Sequence, residues 1–521
     1  MSTIPCNNKS KEKKIYILSI LFVILVIGIL LRIHALGRYS LWFDEAVSLL
    51  QARNLKAILI EKDNTPPLYL FLLRYWDQIT DSEFGLRLFS VLFSSISILM
   101  VYLLGKSLFT KKIGLISAFL LAISPLNIYY SQELRMYSMM TCLTLFSVYF
   151  LIRALKDQKF GFWMGYVIFN LLNIYCHYMS LFIWLAQCFF FLMVYYRDSG
   201  KKIREGWLVS NFLIFFCSIP WLMLTFYPAI EMTKTFPIRW NFFWTPSFSF
   251  KSLFMSFKNF SSGYNATAIV YLFTTTIFFL FFILGIFKMR KQKKLLLCLL
   301  CLFIPILALA IISSIKSIYI DRYLVSSSLF YYLIVSAGLS TINKKGMTLS
   351  LLFICILSMT SLRNQYNNFL TFSFEEHVGI YRKKDHRSIA EYISKGYQKG
   401  DVVYHTCRNT TFPFIYYFDK FYDNVSATKL TGIRLSLLEE TNTLKTSGFD
   451  IYGRKIDKTD GQVFDGSNRI WLILSSWDFY RDKSRIGKEL SLVDWLDRHH
   501  RKISSKSFDG AIVYLYEKSD G

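Results

Sequence analysis

The chain is built around a series of apolar runs, most of them close to the thickness of a bilayer. The first, Ile15 to Leu31, carries no charge. Later runs cover approximately 86–104, 113–127, 136–152, 160–176, 178–196, 207–226, 267–287, 295–315, 323–342 and 347–362. Crossing the hydrocarbon core takes ~20 apolar residues in a helix. The pattern predicts a polytopic α-helical membrane protein with about 11 transmembrane helices. The first run is longer than a signal-peptide core and no small-residue cleavage site follows it, so it is read as a retained span.

The loops between the runs carry the charge. The 521 residues hold 60 Lys and Arg against 35 Asp and Glu, a net of +25. Residues 1–362 contribute +21 of this and residues 363–521 only +4. A nucleic-acid binder gathers its cations on one surface; here they come in small groups between apolar segments, which argues against nucleic acid as a partner. With the N-terminus in the cytosol, 21 basic and four acidic residues fall on the cytosolic side of residues 1–362. That is the positive-inside pattern. An odd number of spans then puts residues 363–521 outside the cytosol.

The expected organisation is a basic cytosolic tail over 1–14, a membrane module over 15–362, and an extracytoplasmic α/β domain over 363–521. Within the module, 35–85 forms a long extracytoplasmic loop. It contains a weakly amphipathic segment, Glu45–Ile60, suited to the interface, and a short apolar segment, Pro67–Trp76. A further extracytoplasmic stretch, 228–266, is rich in aromatics (Phe236, Trp240, Phe242, Phe243 and Trp244), the composition of the headgroup level. In the C-terminal domain, Arg387–Lys395 and Lys488–His499 read as helices. Val402–His405, Ile470–Ser475 and Ala511–Tyr516 read as strands. Gly448–Gly466 reads as a polar connector. Only one of nine cysteines, Cys407, lies there, so the domain has no internal disulfide. Cys298 and Cys301 form a CxxC inside an apolar run, where packing is the default reading.

Ionisable groups at the extracytoplasmic ends of the spans are the candidates for chemistry, since charge beside lipid is costly and needs a reason. They are Asp44 and Glu45, Asp63, Glu133 and Arg135, His177, and Asp321 with Arg322. Asp44 and Glu45 fit two readings: the cap and first turn of a helix, or a carboxylate near lipid suited to general-base work. Arg135, in Ser131–Tyr137, is either part of a polar turn that neutralises its neighbours or a phosphate fork. Arg322 is either an anchor paired with Asp321 or a second fork. His177 is either a hydrogen-bonded interfacial histidine or part of the site. A charge-lined cavity at one face of the membrane accounts for the set.

In order along the chain, Trp42–Ala46, Thr65-Pro66-Pro67-Leu68-Tyr69, Gly85-Leu86-Arg87-Leu88, Ser124-Pro125, Ser131–Tyr137, His177-Tyr178 and Arg322-Tyr323-Leu324 resemble one family. It is the polytopic glycosyltransferases that use lipid-phosphate sugars: the protein O-mannosyltransferase group (glycosyltransferase family 39) and its bacterial relatives, including aminoarabinose transferases. The resemblance covers roughly residues 15–340. It implies the GT-C fold and transfer of a sugar from a polyprenyl phosphate to an extracytoplasmic acceptor, with inversion. It also implies Asp44 as the catalytic base or as the group that orients the acceptor, Glu45 as support for the acceptor or the interfacial helix, Asp63 as support for the acceptor or its loop, and Arg135, Arg322 and His177 at the donor phosphate. Glu133, Tyr137 and Tyr178 are further candidates. The expected partners are the bilayer, the polyprenyl-phosphate sugar, and a glycan, lipid or protein acceptor. The expected location is a bacterial inner (plasma) membrane. Thr65 departs from the family, where His or Lys often precedes the prolines. Some relatives bind a metal near the acidic loop; no clear ligand set is present here, and a divalent metal stays unassigned. The rival functions are a transporter or flippase, which would place its charges near the bilayer midplane, and a nonenzymatic polysaccharide-assembly component.

Overall fold

Helices form where the apolar runs predict them, and their boundaries are set by prolines, caps and charged turns. The computed structural model describes residues 6–54, 66–235, 248–315, 317–370, 380, 382–406, 408–422, 468–475 and 493–518. Asp63, residues 55–60 of the interfacial segment, residues 236–247 of the aromatic stretch, the connector Gly448–Gly466 and residues 488–492 of the last expected helix lie outside the described residues, while the rest of 228–266 is mostly helical. The chain divides into two compact units, Met1–Gly37 with Ala52–Arg382, and Arg38–Gln51 with Lys383–Gly521. The segment that carries Asp44 and Glu45 therefore groups with the C-terminal unit.

The helices, in chain order, are α1 (Cys6–Ile33), α2 (Phe43–Arg53), α3 (Pro67–Asp77), α4 (Glu83–Leu108), α5 (Lys111–Ile123), α6 (Pro125–Ser131), α7 (Tyr137–Asp157), α8 (Phe160–Ile174), α9 (Ser180–Val194), α10 (Lys201–Thr235), α11 (Phe250–Ser262), α12 (Ala268–Met289) and α13 (Lys293–Ile315). A 3-10 turn over Asp321–Leu324 leads into α14 (Val325–Leu339), and α15 (Lys344–Tyr366) follows as the last helix described in the first unit.

Among the described residues, seven helices are long and apolar enough to cross a membrane. They are Lys14–Ile33 of α1, α4, α7, Lys201–Leu224 of α10, α12, α13 and α15. An eighth span results if α5 and α6, bent by 60°, count as one. The other three expected spans, 160–176, 178–196 and 323–342, become α8, α9 and α14, each of 15 residues. That is shorter than a full crossing. Every residue of α14 is buried, because α5, α12 and α13 pack around it.

The bend at Ser124-Pro125 has a local cause. Pro125 has no N–H to continue the ladder of α5, and Ser124 caps the new helix by accepting from Asn127 N at 3.3 Å. The break strips the last carbonyls of α5 of helical donors. Arg32, wholly buried, supplies them: its guanidinium donates to the carbonyls of Ala122 and Leu121, both at 3.0 Å, and to Ser94 Oγ at 2.7 Å. The end of α1 is held in the same manner. Gln132 Nε2 donates to the carbonyls of Arg32 at 3.0 Å and His34 at 2.8 Å. Arg87 donates to that of Leu36 at 2.9 Å. Buried polar side chains thus satisfy the irregular backbone that a membrane interior would otherwise penalise.

The second unit is α/β. It contains α16 (His386–Gly396), β1 (Val402–His405), α17 (Arg408–Phe421), β2 (Arg469–Ser475), β3 (His500–Phe508) and β4 (Ala511–Lys518). Residues 493–499 are also helical. The sheet order is β1-β2-β4-β3. β1 pairs parallel with β2 and the other neighbours are antiparallel. Ile470, Leu472, Leu474 and Tyr516 form one apolar core with Val493 and Leu496 of the following helix. β3 and α17 are elements that the sequence reading lacked. β3 is an edge strand, largely exposed and rich in Ser and Lys, a composition that protects an edge but hides a strand. α17 contains Pro413 and a dense aromatic run that resembles strand composition.

Candidate functional site

In the first unit, three loop ends bring cations to one histidine. Arg135 lies in the turn between α6 and α7. His177 lies in the turn between α8 and α9. Arg322 lies in the 3-10 turn before α14. The charges of Arg135 and Arg322 both act on His177. Burial first, and then these two charges, push its pKa down to about 3, so the imidazole is neutral. Its Nδ1 accepts the backbone N–H of Met179 at 3.1 Å. The remaining proton is therefore on Nε2, which makes that nitrogen a donor. The ring of Tyr137 lies 5.9 Å from that of His177, and Tyr323 lies 5.4 Å away on centroids. The Arg322 guanidinium is 5.6 Å from the Tyr323 ring centroid. His177 and Arg322 are buried, 6% and 8% exposed, so charge interactions here are screened far less than at a wet surface.

The turn that carries Arg135 is tight. Arg135 N donates to Glu133 O at 2.8 Å. Glu133 is buried, and its charge acts on Tyr264. The Tyr264 hydroxyl lies 2.8 Å from that of Tyr130, and Tyr130 packs at 5.1 Å against Tyr137. Tyr178 is half-buried and opens α9, its carbonyl accepting Leu181 N at 3.0 Å. Asp321 turns to α11, accepting from Ser256 Oγ and Asn259 Nδ2. Burial raises its pKa while those two hydrogen bonds lower it. Ser256, Asn259, Tyr130 and Tyr264 were not candidates from sequence. The one available signal was for Tyr130, which adjoins the charged turn Ser131–Tyr137; the other three, on or just after α11, meet the charged turns only in the folded chain.

In the second unit, α2 begins at Phe43, so Asp44 lies inside its first turn and not at the N-cap. The capping is done by Glu45, which is fully buried and whose Oε2 accepts Trp42 N at 3.2 Å. This is the returning half of a capping box. Asp44 is partly exposed. The segment is fixed from both sides: Leu41 N donates to the Tyr417 hydroxyl at 2.7 Å, Phe43 packs on Phe412 at 5.4 Å, and Ser40 Oγ accepts Arg387 N at 3.2 Å. Among the described residues, no group of three or more His, Cys, Asp or Glu side chains could hold a metal ion.

Residues 64–224 match the family model described as dolichyl-phosphate-mannose-protein mannosyltransferase. No curated protein sequence matches the chain. Among solved structures, the chain is similar to ArnT from Cupriavidus metallidurans in the apo state, with TM-score 0.62 and 12% identity over 97% of this chain and 98% of that one. The same protein bound to undecaprenyl phosphate matches with TM-score 0.60 and 11% identity, over 95% and 97%. The apo oligosaccharyltransferase of Archaeoglobus fulgidus matches with TM-score 0.55 and 11% identity, over 98% of this chain and 75% of that one. The chain is a polytopic membrane protein of the GT-C glycosyltransferase fold, and over residues 64–224 it matches the dolichyl-phosphate-mannose-protein mannosyltransferase family.

Proposed function

We propose that the protein is an integral membrane glycosyltransferase that moves a sugar from a polyprenyl-phosphate donor to an extracytoplasmic acceptor. The observation that carries this reading is the convergence of Arg135, His177 and Arg322 from three loop ends. Two guanidinium groups present forks that match phosphate oxygens. A neutral imidazole adds a donor without another charge. As the sugar departs, negative charge grows on the phosphate, and fixed cations in a poorly screened site stabilise it.

In this reading Asp44 takes the proton of the acceptor hydroxyl, which is a weak nucleophile until deprotonated. The acceptor oxygen then bonds the anomeric carbon, the bond from that carbon to the phosphate oxygen breaks, and polyprenyl phosphate leaves with the electron pair. The configuration inverts. Glu45 acts by holding the first turn of α2, which fixes the backbone at Asp44. Asp63 is assigned a supporting role for the acceptor or its loop. The N-terminus is cytosolic, residues 363–521 are extracytoplasmic, and the location is a bacterial inner membrane; the loop charges support that orientation. The likeness to a structure bound to undecaprenyl phosphate supports a lipid-phosphate ligand.

The test is equilibrium binding of undecaprenyl phosphate to the purified protein. Arg135→Ala and Arg322→Ala each lower affinity by at least about tenfold, the loss of a hydrogen bond to a charged group. Affinities equal to the parent's in both variants would remove the phosphate assignment.

A further inference from the structure

Asp321 immediately precedes Arg322 in the 3-10 turn Asp321–Leu324, yet no step described so far uses it. Both carboxylate oxygens are engaged by α11: Oδ1 by Ser256 Oγ and Oδ2 by Asn259 Nδ2. Ser256 Oγ also lies 2.9 Å from the Tyr319 hydroxyl, on the segment that enters the turn. Ser256 and Asn259 are each 0% exposed and three residues apart, so they share one helix face. An amphipathic helix ordinarily buries apolar side chains there. Burying two polar groups costs stability unless each finds a partner. A single carboxylate serves both, and it sits beside the arginine.

A 3-10 turn of four residues has poor internal hydrogen bonding. Contacts from outside must set its geometry. Asp321 faces α11, while the charge of Arg322 reaches His177 on the turn between α8 and α9. The two neighbours therefore link the turn to different parts of the first unit. We propose that Asp321 is a positioning residue for Arg322: its carboxylate latches the turn to Ser256 and Asn259 of α11, and the latched turn holds the guanidinium ready for the donor phosphate. The inference rests on the phosphate-binding reading of Arg322 and adds the residues that aim it.

The experiment measures undecaprenyl phosphate binding to the full-length protein in detergent, with melting temperature followed in parallel. Asp321→Ala weakens binding on the order of tenfold, the size of one hydrogen bond to a charged group. Asp321→Asn, which keeps an acceptor for Asn259, recovers part of that loss. Combining Asp321→Ala with Arg322→Ala gives no weaker binding than Arg322→Ala alone, because one residue acts through the other. In transfer assays the donor KM rises and the acceptor KM does not. A general structural role would give the same further loss in the Arg322→Ala background, and that result overturns the proposal. So does parent-like affinity in Asp321→Ala. Should Asp321→Ala not fold, Ser256→Ala carries the same cycle with a smaller loss. If Arg322→Ala itself binds like the parent, the phosphate reading fails first and the latch with it; if Arg322→Ala fails to bind while Asp321→Ala binds normally, only the latch fails.

Discussion

At the scale of single residues, Asp44 and Glu45 divide two tasks that their adjacency conflates. Glu45 is buried and returns to Trp42 N, so Glu45→Ala should cost about 1 kcal/mol of stability, as lost caps do. Asp44→Asn, at a partly exposed position of the first turn, should cost less than Glu45→Ala. Comparing the two unfolding curves checks this, and equal destabilisation by both would contradict the division. The sequence put both readings on this pair; only the helix start at Phe43 assigned the cap to Glu45. His177 makes a second prediction. Its folded pKa of about 3 lies below the ordinary 6.5, so the unfolded chain binds the proton first. Stability is then full above about 6.5 and falls as pH drops towards about 3. His386 and His405, pushed by burial to about 4 and about 3, act in the same direction. The melting temperature should decline on acidification through this window, and His177→Gln should flatten part of the decline. A melting temperature that rises on acidification would oppose it.

At the scale of elements, the structure depends on side chains that repair broken backbone. Arg32→Met would remove the guanidinium donor from the Ala122 carbonyl and the Ser94 hydroxyl, and would leave the Leu121 carbonyl only the long bond from Ser124 N at 3.4 Å. Each buried unsatisfied group costs about 1–3 kcal/mol, so a loss of at least ~2 kcal/mol in a detergent unfolding measurement is expected. A change within ~0.5 kcal/mol, the range of bland surface substitutions, would show that the bend at Ser124-Pro125 needs no capping. The contact of α12 with α14 has a different basis. A Cβ on Gly285 would collide with the Ile334 carbonyl, and one on Gly338 with that of Phe281. The two backbones approach as closely as glycine allows, a common device between membrane helices. The apolar runs made these helices legible, because lipid exposure demands long apolar segments. The 15-residue lengths of α8, α9 and α14 were not legible: apolar neighbours beyond a helix end extend the run without extending the helix. The partners of Arg32 were hidden for another reason, since residues 62 to 90 positions apart in sequence meet only in the folded chain.

At the scale of the whole molecule, charge reads as orientation. The 21 basic residues assigned to the cytosolic tail and loops predict that a reporter fused after Lys345 is cytosolic and one fused at Gly521 is not. Reporters active on the opposite sides would invert the topology and remove the extracytoplasmic acceptor from the account. The charged turns were legible because ionisable groups at span ends stand out against apolar sequence. What joins them, the Tyr130–Tyr264 pair and the grip of α11 on Asp321, was not, because Ser, Asn and Tyr are unremarkable in composition. The central claim is that the chain transfers a sugar from a lipid phosphate with Asp44 as base. The measurement that tests it is transfer by the purified protein across a panel of polyprenyl-phosphate sugars and candidate acceptors, with Asp44→Asn as control. The account predicts product with at least one donor, and none above background with Asp44→Asn while undecaprenyl phosphate binding persists. Turnover retained in Asp44→Asn would contradict it.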